Sequence, residues 1–190
     1  MTKYILHGGE TSVDNESNHR FFLAMIGNKP HPQILCVYFA RSKDEWPAKF
    51  EQDKLRFAKI AEPDCTPELV MASDNIDELK SQIISADTIY IRGGSFNSCP
   101  KELFEQIPDV KQLLNDKIVA GSSAGANVIA KYYHSLSLSK VGKGTGWLPI
   151  KVLSHTNIKT AEQIRELEEF GEQLPVVELN ETEFKTIEVV

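Results

Sequence analysis

With 190 residues, 41% of them apolar and 25% charged, the chain has the length and composition of one globular domain around a single buried core. Its net charge of −6 excludes the broad basic face that a nucleic-acid binder needs, and no apolar run approaches the length of a membrane span. Three cysteines without metal-ligand spacing fit a reducing compartment, and the first residues leave no room for a secretory apolar run, so a cytoplasmic protein is expected.

Taken in chain order, short apolar runs alternate with amphipathic stretches, the pattern of a mainly parallel sheet with helices on both faces. The first predicted strand, 3–7, ends in His7-Gly8-Gly9. A helix is expected over 17–27, then a strand over 33–39 in which Cys36 reads as a buried thiol. Helix 45–60 and strand 67–72 follow, and Asn75 is a cap for a helix over 75–84. The strand at 87–92 runs into Arg92-Gly93-Gly94-Ser95, and a helix over 100–115 is broken at Pro108. Strand 117–121 turns abruptly into a helix predicted over 124–133, with His134 at its far end. Residues 135–139 alternate and read as a strand or an extended loop. The glycine-rich 141–146 lacks the ending and the strand–helix context of a phosphate-binding loop, and reads as a flexible loop beside the site. Strand 150–154 closes on His155, an acidic outer helix covers 160–171, and two strands follow at 174–179 and 184–189. With neither a repeat nor an interdomain linker, residues 1–190 read as a single domain.

The turn after strand 117–121 carries Gly121-Ser122-Ser123-Ala124-Gly125, a Gly-x-Ser-x-Gly motif. A serine between glycines at a strand-to-helix turn is a nucleophile elbow. Small neighbours permit the tight backbone, and the N–H groups of the helix start face a developing oxyanion. In sheets of this kind functional groups gather at the carboxyl ends of strands, where His7, residues 92–95, Ser123 and His155 all fall. A serine nucleophile needs a base, usually histidine. His19 and His31 read as solvated and His134 as pointing away on the elbow helix, which leaves His155 as the expected base and His7 as the outside candidate. No Asp or Glu lies between Ser123 and His155, and no histidine follows His155, so the Ser–acid–His order of an α/β-hydrolase is excluded. The acid has to come from before Ser123 or after position 155, with Glu178, Glu181 and Glu183 as downstream candidates and Glu10 as an upstream one.

Residues 121–127, read together with 89–95, 148–155, 160–165 and 177–183, resemble the peptidase E (α-aspartyl dipeptidase) and cyanophycinase family over most of the chain. The resemblance implies a class I glutamine amidotransferase-like (flavodoxin-like) architecture, a three-layer α/β sandwich about a mainly parallel central sheet. It implies Ser123, His155 and Glu181 as the catalytic residues and the Gly94 and Ala124 N–H groups as the oxyanion hole. Arg92, Gly93, Ser95 and Asn127 become the expected substrate contacts, with no metal and no cofactor. The expected partner is a short peptide or peptide-like amide, not nucleic acid or a membrane, and the oligomeric state is left open, a homodimer included. Arg92 and Ser95 depart from the family's glycine turn, and Ala161 stands where aspartyl dipeptidases use an arginine to grip the substrate. A carboxylate clamp then has to come from Arg92 or Arg165, or be absent, and strict aspartyl specificity is not expected. The alternative reading is a catalytically inactive small-molecule binding module on the same fold. An amidotransferase-type glutaminase is disfavoured, because the elbow carries a serine where that chemistry uses a cysteine.

Overall fold

The computed structural model describes residues 1–95 and 98–189. In chain order its strands are β1 (Thr2–His7), β2 (Gln33–Val37), β3 (Glu68–Met71), β4 (Thr88–Ile91), β5 (Ile118–Ser122), β6 (Ala130–Ser135), β7 (Lys140–Lys143), β8 (Leu148–Ser154), β9 (Val176–Leu179) and β10 (Phe184–Val189). The helices are α1 (Glu16–Ile26), α2 (Trp46–Ile60), α3 (Ile76–Ser85), α4 (Ser98–Glu105), α5 (Val110–Leu113), α6 (Ala124–Ile129) and α7 (Ala161–Glu169). Local chemistry sets several of the helix starts. The Asn15 and Asn75 side chains accept N–H groups at the heads of α1 and α3, and Thr160 with Gln163 makes a reciprocal capping box on α7. Among the described residues no helix is long and apolar enough to cross a membrane.

The strands form two sheets. The first has the order β10-β1-β5-β4-β2-β3 and is parallel except for β10, which pairs antiparallel with β1. Its inner strands are continuous apolar runs such as Ile34-Leu35-Cys36-Val37, buried throughout, as expected of a sheet covered on both faces. The second has the order β7-β6-β8-β9, parallel except for β7. The short helix α6 packs on β1, β4 and β5 of the first sheet and on β6 and β8 of the second, and every residue in it is buried. The architecture is therefore an α/β sandwich with mainly parallel sheets, in which the elbow helix joins the two sheets.

Two expectations are corrected here. The elbow helix stops at Ile129, and residues 130–135 continue as β6, so His134 belongs to a strand and not to a helix end. Tyr132 and Tyr133 suit a pleated, half-covered surface, and pairing with β7 and β8 outweighs the helical reading of this stretch. Residues 140–143 form β7 against β6, and Gly144 and Gly146 donate to Lys131 and Ala130 carbonyls. The segment 141–146 is thus an edge of the second sheet rather than a loop at the site.

Candidate active site

Parallel pairing in register sets His7 beside Ser122 and Ile91 beside Gly121, so β1, β4 and β5 end at one level. Ser123 follows β5 with φ 50° and ψ −111°, a backbone that an L-residue adopts only under constraint. The constraint is close packing: a methyl group on Gly125 would lie 1.9 Å from the Ile91 carbonyl oxygen, so α6 can approach β4 this closely only with glycine there. Ser123 Oγ is 2.8 Å from His155 Nε2, and His155 Nδ1 is 3.1 Å from Glu181 Oε1. His155 and Glu181 leave adjacent strand ends, since β8 and β9 are parallel with Ser154 opposite Leu179. Asn157 braces the acid at two points: its amide donates to Glu181 Oε2 at 3.4 Å, and its Oδ1 accepts the Glu181 N–H at 3.2 Å. Glu178 is exposed on β9, and Glu183 accepts the Asn180 N–H, so neither takes the place of Glu181 beside the histidine.

The three residues of this line come from two sheets, and the tail of β1 ties them together. His7 O accepts the Ser123 N–H at 2.9 Å, and Gly8 O accepts the His155 N–H at 3.2 Å. Gly8 N–H donates to Glu183 O at 2.9 Å, and Gly9 O accepts the Thr182 N–H at 3.0 Å. Gly9 also lies under the imidazole, where a methyl group would be 2.1 Å from His155 Cε1. His7 itself is fully buried and does not meet Ser123 through its ring. Its Nδ1 accepts the Gly9 N–H at 3.1 Å, so Nε2 carries the proton and donates to Asn18 Oδ1 at 2.8 Å. The Asn18 amide in turn donates to Glu10 O and Val13 O at 2.9 and 2.7 Å. Burial pushes the His7 pKa down to about 4, against the pull of the Asn18 hydrogen bond, which keeps the ring neutral at pH 7.

Ser123 and His155 open into a cleft of about 520 Å³. Gly93, Gly94 and Ser95 form one side, and residues 9–12 form another. The Gly93 N–H is used to hold Ser122 Oγ at 3.1 Å. The Gly94 N–H has no acceptor among the described residues, and Ala124, as the first residue of a helix, has no intrahelical acceptor for its own. Arg92 borders the cleft as expected, but its guanidinium is already engaged by groups on α2. Arg92 is 4% exposed, and its Nη1 lies 3.0 Å from Asp53 Oδ1. The Nη1 N–H is directed to Lys49 O at 3.0 Å and Nη2 donates to Gln52 Oε1 at 3.2 Å, so Arg92 is a strut fastening the oxyanion turn to α2. Burial pushes the Asp53 carboxyl up, with the Arg92 charge drawing it back. Asn127 is buried away from the cleft and accepts the Ser154 hydroxyl at 3.3 Å, which fastens β8 to the elbow helix. Ala161 and Arg165 do not border the cleft.

Besides Thr11 and Ser12, four side chains that the sequence reading passed over border it: Arg41, Lys49, Gln52 and Arg56. The last three have the spacing of one helical face on α2, a signal present in the sequence but shared with any solvated helix surface. Only their position beside Ser123 distinguishes them. They give the cleft a polar wall in which Arg41 is paired with Glu45 and Arg56 with Asp53.

An elbow serine hydrogen-bonded to a histidine, at the strand ends of an α/β sandwich, defines a serine hydrolase. The chain belongs to peptidase family S51, whose family model matches residues 4–183. The structure also superposes on that of a candidate peptidase E protein from Listeria monocytogenes EGD-e, with a TM-score of 0.65 over 100% of both chains at 14% identity. The two share the class I glutamine amidotransferase-like fold that the motifs imply. No curated protein matches the chain.

Proposed function

We propose that this protein is a cytoplasmic serine-type peptidase or amidohydrolase that cleaves short peptides or peptide-like amides through Ser123, His155 and Glu181. The observation that carries this reading is the hydrogen-bonded line from Ser123 Oγ across both nitrogens of His155 to Glu181. The serine O–H donates to Nε2, so the oxygen attacks the scissile carbonyl while its proton passes to the imidazole. Nδ1–H donates to Glu181, which holds the tautomer and balances the imidazolium charge. The Gly94 and Ala124 N–H groups receive the oxyanion, and each such donor is worth about 3–4 kcal/mol of barrier in a comparable hydrolase. His155 then returns the proton to the departing amine, and water releases the acyl group by the same route in reverse. Arg41 is paired with Glu45 and Arg56 with Asp53, and Glu10 also borders the cleft, so Lys49 is left to favour peptides that carry negative charge near the scissile bond, without a dedicated clamp.

A fluorophosphonate probe tests the reading. Labelling of the wild-type protein that is lost in Ser123→Ala, together with peptide turnover lost in the same variant, is the expected result. A folded wild-type protein that takes no label and turns over no peptide would instead be a binding module.

A further inference from the structure

The cleft at Ser123 does not end at α2. A second cavity of about 240 Å³ adjoins it and shares Ser12, Gln52 and Arg56 with it. A third, of about 200 Å³, shares His19, Lys59 and Ile60 with the second. The shared residues string the three along α2, from Ser123 toward the seam where α1 packs on it. From Gln52 to Ile60 the cavities follow nine residues of α2, about 12 Å at the helical rise. An extended chain advances about 3.3 Å per residue, so this length holds three to four residues.

The walls suit a peptide. Val13 and Leu55 border the second cavity and Leu23 the third, and these large apolar side chains are 45%, 73% and 43% exposed. Single exposed apolar residues need no explanation, but three along cavities that lead to a nucleophile make a surface for side chains. Polar groups are also left to be matched. Arg41 Nε, beside the first cavity, is buried without a hydrogen-bond acceptor, and Arg56 Nη1, in the wall common to the first two, has only its ion pair with Asp53 Oδ1 at 3.5 Å. Peptide carbonyl or carboxylate oxygens are the acceptors such donors need. By contrast the Asp14 carboxylate is already engaged by Lys59 and His19, so it does not repel an incoming carbonyl chain.

We propose that this line of cavities along α2 is a set of substrate subsites, and that the preferred substrate is an extended oligopeptide of at least four residues rather than a dipeptide. This rests on the serine-peptidase reading of the cleft. Two peptide ladders test it, lengthened from two to six residues on the amino side of one fixed scissile bond in one set and on the carboxyl side in the other. On one ladder, kcat/KM is expected to rise at least tenfold over the first three or four additions and then level off; the ladder that responds identifies which side of the bond occupies the cavities. Leu55→Gln, a helix-compatible change at an exposed position, is expected to lower the ratio of pentapeptide to dipeptide kcat/KM at least fivefold with the thermal melt unchanged. Flat ladders on both sides, or an unchanged ratio in Leu55→Gln, would overturn the proposal. Calorimetric titration of the same ladders into Ser123→Ala separates the two readings. Affinity that grows with length without any wild-type turnover keeps the subsites and removes the peptidase, whereas turnover and affinity both indifferent to length keep the peptidase and remove the subsites.

Discussion

The six-stranded sheet delivers Ser123 from an interlocked interior: Ser122 and the whole of α6 are buried, and Gly125 meets the Ile91 carbonyl with no space for a methyl group. The four-stranded sheet delivers His155 and Glu181 from turns at its rim, where the Glu181 side chain stays 31% exposed and is held by Asn157 and the β1 tail. Ser123 is thus placed by packing, and His155 and Glu181 by hydrogen bonds. Substitutions in the two regions should accordingly fail in different ways: those that disturb the packing of the first lose the fold, whereas those that remove polar groups of the second lose only the reaction.

The largest effect is expected where the two regions meet. Ser123→Ala and His155→Ala should each lower kcat by at least about 10³-fold, because residues that act as a unit fail together. Both melts should stay near that of the wild type. If His155→Ala kept more than about a tenth of the turnover, a loss under roughly 1.4 kcal/mol, the second sheet would have no part in the chemistry. Gly125→Ala should show the opposite phenotype, with about 3 kcal/mol of stability lost in denaturant unfolding, since backbone has to move to admit the methyl group. An unchanged midpoint there would break the packing half of the comparison. Glu181→Gln sharpens the other half: kcat should fall about 10²-fold or more with the fold intact, because an amide favours the wrong imidazole tautomer and cannot balance its charge.

The joint between the regions has a smaller signature in pH. His7 titrates near 4 when folded against 6.5 for the ordinary group, so the unfolded chain takes up its proton first as pH falls. Stability from this group is complete above about pH 6.5 and declines between there and pH 4, with roughly 2 kcal/mol gone by pH 5. A non-titrating His7→Asn variant, whose side-chain oxygen can still accept the Gly9 N–H, should lack that slope in melts recorded from pH 7 to 4.5.

The same contrast decides what the sequence could convey. The first sheet is written in apolar runs and a glycine-flanked serine, and each of its strands falls within two residues of the predicted position. In the second sheet β8 and β9 are equally legible, and it is β6 and β7 that are not. Residues 130–135 carry no local signal strong enough to separate strand from helix, and only pairing with β7 and β8 decides the matter. Glycines at 142 and 144 mark a loop in most chains, yet here they lie in and beside an edge strand. At the site, strand-end positions point to Ser123 and His155, and the placing of Glu181 came from the resemblance of its turn. For Arg92 the sequence shows its place beside the cleft but not that Asp53, on another element, already holds its guanidinium. Lys49, Gln52 and Arg56 were missed because a polar helical stripe looks the same whether it faces water or a nucleophile.

The pairing of β1 with β10, in which Thr2 lies opposite Val189, has a consequence for biosynthesis. β1 waits for β10, far downstream, before this edge is closed, and the Gly8 N–H for its acceptor on Glu183. At about 5–20 residues per second a ribosome needs some tens of seconds or less to make the intervening chain, during which β1 remains an unpaired edge. Throughout that interval the serine elbow can form, but the turn that carries Glu181 has not been anchored. If Glu181 serves His155 as proposed, a nascent chain should stay inactive until β10 has been made and paired with β1.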